Sequence, residues 1–148
     1  MRLIKREFVV DVPVQQAWRH LVQVTAWPGW AQHIRKIELE PDEELRVASK
    51  GRIYLRNGIR SEFRVVEFNP YSNWKWVGPF LWLTVHYDHR FDAEGPNASR
   101  LTWIVDAEGL GVSILGRLFA KVYRSSMEKA IPRFVAEMAT ANRGPSST

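Results

Sequence analysis

The strongest constraint on this chain is a change of period late in its sequence. Between Arg35 and Glu108 apolar and β-prone residues come in short runs broken by turn signals, whereas from Leu110 to about Ala141 they recur every three or four residues. The first pattern suits strands and the second a helix, so the fold must be a sheet closed by one long C-terminal helix. Predicted strands are residues 3–11, Arg35–Glu40, Leu45–Arg56, Arg60–Asn69, Asn73–Phe80, Leu81–Asp92 and Arg100–Glu108. Pro41-Asp42, Asn57-Gly58, Asn69-Pro70 and Gly95-Pro96-Asn97 separate most of them, and Asn57-Gly58 is the strongest hairpin mark. Gly78-Pro79 marks a bend between the fifth and sixth strands.

The closing helix is expected over about residues 112–140. Leu115, Leu118, Phe119, Val122, Tyr123, Met127, Ala130, Ile131, Phe134 and Met138 form its apolar stripe, and Pro132 within it should kink or split it. Near the N-terminus, Asp11 as cap and Pro13 in the first turn predict a short helix over Val14–Val24, with Ala17, Trp18, Leu21 and Val22 on its buried side. Pro28-Gly29 should end it, and Trp30–Ile34 is read as the start of a second short turn. The class is therefore α+β. A sheet this long curls, and only the last helix is long enough to fill its concave face.

Length and composition narrow the function classes. At 148 residues the chain is read as one domain over 1–141, followed by a disordered tail over 142–148. The absence of cysteine removes disulfides, thiolate metal sites and Cys nucleophiles together, and fits a cytoplasmic protein. The N-terminal segment has scattered charges rather than a basic cap and an apolar block, so it does not read as a signal peptide. No stretch approaches the roughly 18 apolar residues of a membrane span. Asn97-Ala98-Ser99 is read as a polar turn. The net charge is +5, and the arginines and lysines are spread along the chain, as at Arg46, Lys50, Arg52, Arg56, Arg60 and Arg64, at alternating strand positions that suit a solvated outer face. That spread argues against nucleic acid as partner and leaves a membrane surface or acidic protein open.

The run VDVPVQQAWRHLVQVTAWPGWAQHIRKIEL, followed by FRVVEFNPYSNWKWVG and the amphipathic C-terminal run, resembles the START/Bet v 1-like (SRPBCC) superfamily, and within it the polyketide cyclase/dehydrase and lipid-transport group. Pro13, Trp18, Trp27, Pro28 and Trp30, in that register, carry most of the likeness. The resemblance implies a helix-grip fold: a curved antiparallel sheet of six or seven strands wrapped around the long helix, with two short helices after the first strand. It also implies that Trp18, Trp27 and Trp30 pack where those short helices plug one end of the sheet. Because the superfamily holds carriers, cyclases and interaction proteins, the likeness speaks to fold more than to function.

Strand alternation places Leu83, Val85, Tyr87, His89 and Phe91 on the inner face of their strand and Thr84, His86, Asp88 and Arg90 on the outer. Trp74 and Trp76 align likewise, as do Leu101, Trp103 and Val105, and Ile53 and Leu55. The strand Arg60–Asn69 stays ambiguous, since Phe63 and Val65 compete with Val66 and Phe68 and a bulge would switch the parity. The expected site is a cavity between helix and sheet lined by Trp76, Tyr87, His89, Trp103, Phe119 and Tyr123, which suits a hydrophobic or aromatic small molecule. His89 and Tyr87 are the candidate proton-transfer groups should a reaction occur there. No metal is expected, because His86 and Asp88 point away from His89, and no cofactor motif is present: Gly109-Leu110-Gly111 lacks the rest of a phosphate loop. Three readings follow: a carrier of an apolar ligand, a cyclase or dehydratase acting on a polyketide-like substrate, and an interaction module using the basic exterior. The oligomeric state is not legible.

Overall fold

The structure, a computed structural model, describes residues 1–41 and 44–143. Seven antiparallel strands form one sheet: β1 (Arg2–Val10), β2 (Ile34–Glu40), β3 (Lys50–Leu55), β4 (Arg60–Asn69), β5 (Asn73–Phe80), β6 (Leu83–Gly95) and β7 (Ala98–Glu108). Their order is β1-β7-β6-β5-β4-β3-β2, so successive strands are neighbours except that β1 returns to lie against β7. The sheet curves around α2 (Val112–Arg143), and α1 (Val14–Leu21) and a 3-10 helix (Val24–Gly29) connect β1 to β2. No helix among the described residues is long and apolar enough to cross a membrane.

The hairpins follow their turn residues. Between β3 and β4, Gly58 has φ of 91° and the Asn57 side chain accepts a hydrogen bond from the Ile59 amide at 3.0 Å, as expected of an Asn-Gly turn. Between β5 and β6 the turn lies at Leu81-Trp82, with Leu81 at φ 54°, rather than at Gly78-Pro79. Both of those residues continue β5. Pro79 is tolerated there because registered pairing with β4 ends at Val77, so its missing N–H leaves no ladder bond unmade. Residues Leu45–Ser49, expected as strand, lie outside β3, with a turn at Val47-Ala48: Ala48 has φ of 67°, which breaks the extended run.

Three further expectations need correction. The N-cap position of α1 is held by Pro13, not by Asp11. The segment Trp30–Ile34 does hold a short turn, at Gln32-His33, closed by the Ile34 amide on the Ala31 carbonyl at 3.0 Å, but the second helix itself comes earlier: the 3-10 helix contains Pro28 and ends at Trp30, and Ile34 already belongs to β2. Finally, α2 is not split at Pro132, which lies on its solvent side, where water can serve the carbonyl left without a partner. The expected tail from 142 onward begins with two residues that extend α2, and 144–148 lie outside the described residues.

The core divides along α2. Ala130, Phe134 and Met138 in its second half pack with Trp18, Trp27, Trp30, Trp74 and Trp76, while Met127 and Ile131 pack with Leu3, Ile4, Val85 and Val105. Towards its first half only the edge of the apolar set is covered: Phe119 and Tyr123 face the sheet, but Leu118 and Val122, expected in the same stripe, are exposed. Successive helical residues point about 100° apart, so 118 and 119, or 122 and 123, cannot both face a sheet that touches one side.

Candidate functional site

The rows that make the concave face are set by register. Trp74 lies opposite His89 and Trp76 opposite Tyr87 across β5 and β6, while His89 lies opposite Trp103 and Tyr87 opposite Val105 across β6 and β7. Trp74, Trp76, Val85, His89, Phe91, Leu101 and Val105 are buried, in agreement with the alternation read from the sequence. The ambiguous strand β4 resolves through a register shift between Val65 and Glu67. Phe63 and Val65 are buried before it, Phe68 packs on the core after it, and Val66 at the shift is exposed.

Around Trp76 and His89 the rings are tightly packed. His89 stacks on Trp74 at 4.4 Å between centroids and meets Trp76 at 5.0 Å and Trp27 at 5.9 Å. Trp30 closes this end against Phe134 at 4.8 Å and Trp27 at 5.4 Å, and the Trp27 indole donates to the Leu21 carbonyl at 2.9 Å, tying the 3-10 turn to α1. The three tryptophans of the α1 region are thus packing residues, as expected: Trp18 is wedged among Phe68, Tyr71, Trp74 and Phe91.

The remaining four expected residues stand differently. Tyr87, Trp103, Phe119 and Tyr123 are only half-buried although they lie between sheet and helix. Tyr123 contacts Tyr87 at 5.7 Å and Phe119 at 5.5 Å, Phe119 continues to Phe80 at 4.7 Å, and Trp103 meets Phe8 edge-on at 4.9 Å. The six candidates are therefore brought to one concave face but split into a sealed pair, Trp76 and His89, and a looser group of four. Sequence reasoning passed over Phe8 and Phe80, which complete the looser group; Phe8 shares its strand face with Ile4, a parity that was readable in advance.

The electrostatics are those of a dry site. Burial pulls His89 down to about 4, against the weaker opposing influences of the Trp74 carbonyl and Asp88, so the imidazole is neutral near pH 7. Its Nδ1 lies 3.3 Å from the Trp74 carbonyl, and since a carbonyl only accepts, Nδ1 carries the proton in that bond and Nε2 keeps a lone pair. Burial also raises the Tyr87 phenol, helped by Tyr123, and pushes Tyr123 up to about 12. Both remain O–H donors. Among the described residues the donors buried without a hydrogen-bond partner are the indole N–H groups of Trp103 and Trp74, not the two hydroxyls. A buried donor left unpaired costs about 1–3 kcal/mol.

On the outer face, His86 pairs with Glu108 at 3.2 Å and Asp88 with Arg90 at 2.7 Å, both turned away from His89. No group of three His, Asp or Glu among the described residues is placed to hold a metal. An open groove of about 700 Å³ also lies on this outer side, lined by Glu38, Lys50, Arg52, Glu62 and Arg64. Within it Arg52 pairs with Glu62 at 3.0 Å, Glu38 pairs with Lys36 beside it at 3.5 Å, and neither unpartnered indole lines it.

Residues 1–141 match the family model described as polyketide cyclase / dehydrase and lipid transport. No curated protein matches the sequence. Among solved structures, a hypothetical protein from Helicobacter pylori is similar with a TM-score of 0.76 at 14% identity, covering 90% of this chain and 86% of its own. A conserved protein from Geobacillus kaustophilus gives 0.71 at 15% identity, covering 93% and 95%. The Zhui aromatase/cyclase from a Streptomyces species gives 0.70 at 13% identity, covering 95% of each chain. At such identities these likenesses speak to the helix-grip fold alone.

Proposed function

We propose, from the premise that this chain belongs to the polyketide cyclase / dehydrase and lipid transport family, that it binds a hydrophobic, ring-bearing small molecule between α2 and the concave sheet. The observation that carries this reading is the half-buried aromatic wall of Tyr87, Trp103, Phe119 and Tyr123 together with the buried, unpartnered indole N–H of Trp103; the Tyr87 and Tyr123 hydroxyls stand on the same wall. Rings favour a flat or lipid-like body, and fixed donors favour a carbonyl or similar acceptor oxygen on it. Trp76 and His89 form the packed floor of the site.

Native mass spectrometry of the chain purified from its own host, with extraction of what co-purifies, tests the proposal. A bound molecule carrying an acceptor oxygen is the expected result; no co-purifying molecule together with no binding of a hydrophobic dye overturns it. Tyr87→Phe and Tyr123→Phe should each weaken binding of that molecule about 3- to 10-fold, the worth of one hydrogen bond.

The enzymatic reading of the same site, with His89 or Tyr87 moving protons on a polyketide-like substrate, has weaker support. A base held at about 4 is poorly matched to work near neutrality, and the Tyr87 phenol is shifted away from it in the other direction. Should turnover of a substrate be found, His89→Ala is expected to abolish it while leaving ligand affinity in place.

A further inference from the structure

The outer side of α2 carries residues that neither the core nor the ligand site uses. Leu110, Ile114, Leu118 and Val122 follow one another at four-residue steps and are 87%, 80%, 58% and 64% exposed. At the end of this row stands the β5–β6 turn, where Leu81 and Trp82 are each 66% exposed. The Trp82 indole donates to the Leu110 carbonyl at 2.7 Å, so the turn and the start of the helix form one surface. Gly109 and Gly111, at φ 138° and 75°, flank Leu110 in a backbone conformation that holds it outward. Six large apolar side chains in a row on a water-facing surface are far more than scattered exposure accounts for.

A row of cations runs beside them. Arg117, Lys121 and Arg124 recur at four- and three-residue steps and are exposed. Among the described residues Arg117 and Lys121 meet no carboxylate, Arg124 reaches only the Leu3 carbonyl at 3.4 Å, and the nearby Glu128 is already held by Arg6 at 2.9 Å. These cations border a depression of about 480 Å³ between β1 and α2 that also includes Ser125.

We propose that this face docks on an anionic phospholipid bilayer, with Trp82, Leu110, Ile114 and Leu118 entering the boundary between headgroups and acyl chains and Arg117, Lys121 and Arg124 engaging lipid phosphates. Apolar anchors including an indole, beside unpaired cations, are the combination that interfacial helices use. Self-association through the same face is disfavoured, because a second copy would bring its own cations against these. The proposal is independent of the cargo reading, since none of these side chains points into the ligand site.

Co-sedimentation of the full chain with phosphatidylcholine vesicles, with and without phosphatidylglycerol, tests it. Binding is expected only or mainly with phosphatidylglycerol, and should fall as salt rises. Ile114→Glu with Leu118→Glu should reduce the bound fraction about tenfold or more, and Arg117→Glu with Lys121→Glu should remove the preference for phosphatidylglycerol. Because all four side chains are exposed, the variants should keep the wild-type melting temperature and dye binding, which separates loss of docking from loss of fold or of cargo. Wild-type chain that stays in the supernatant with both vesicle types overturns the proposal. So does undiminished binding by Ile114→Glu with Leu118→Glu, or a wild-type dimer that this pair of substitutions converts to monomer.

Discussion

At His89, burial and basicity oppose each other most directly. Its value falls from 6.5 to about 4 on folding, so between those values the unfolded chain binds more protons than the folded one. Stability is therefore complete above about 6.5 and is lost as pH drops towards 4, by about 3 kcal/mol over the whole window. His33, lowered by its own burial, adds to the slope in the same direction. Urea titrations from pH 7 to pH 4 should show this decline for the wild type and a visibly flatter profile for His89→Phe; parallel profiles refute the assignment. Trp18 makes a simpler claim. It is 5% exposed among four aromatic rings, so Trp18→Ala should cost about 3–5 kcal/mol, read as a lower denaturation midpoint.

At the scale of elements, Gly78 leaves no room for a side chain between β5 and β4. A Cβ there would run into the Glu62 carbonyl, a backbone atom that cannot step aside without moving the strand. Gly78→Ala is expected to destabilise the protein by about 1–3 kcal/mol, measured by chemical denaturation, even though alanine is otherwise the smaller disturbance to a strand. This close approach explains why Gly78-Pro79 misled as a bend: the dipeptide was read as local turn chemistry, whereas the glycine answers to a neighbouring strand absent from its local sequence. By contrast the bounds of β4 and β5 were legible to the residue, because β-prone runs and the flanking Asn residues are local signals. The bulge after Val65 was visible only as a conflict between two parities, and pairing with β5 decides it.

For the whole molecule, the seven-strand sheet around one helix followed from the change of period, and the inward rows of β5, β6 and β7 from simple alternation. What the sequence hid was which side of α2 the sheet covers. Leu118 and Phe119 are equally apolar, and nothing local tells which one meets Phe80 and which meets water. The division of the ring-rich face into a sealed half and a looser half was hidden for the same reason, since it depends on how far the 3-10 turn pushes Trp27 and Trp30 against β5 and α2. A direct check is ligand-detected quenching of tryptophan emission: the ligand should report on Trp103, so that Trp103→Phe removes most of the change while Trp18→Phe removes little.

The unequal anchoring of α2 has a kinetic consequence. Its second half is riveted by Met127, Ala130, Ile131, Phe134 and Met138, all at most 5% exposed, whereas its first turns rest on half-buried rings and on one clasp, from Trp82 to the Leu110 carbonyl. Amide protons of Leu115 to Val122 should therefore exchange with solvent well before those of Met127 to Met138. Anything held beneath would leave by the lifting of those first turns. Trp82→Phe, which keeps the ring but not the N–H, should then shorten the residence time of a bound molecule while leaving the global unfolding free energy nearly unchanged.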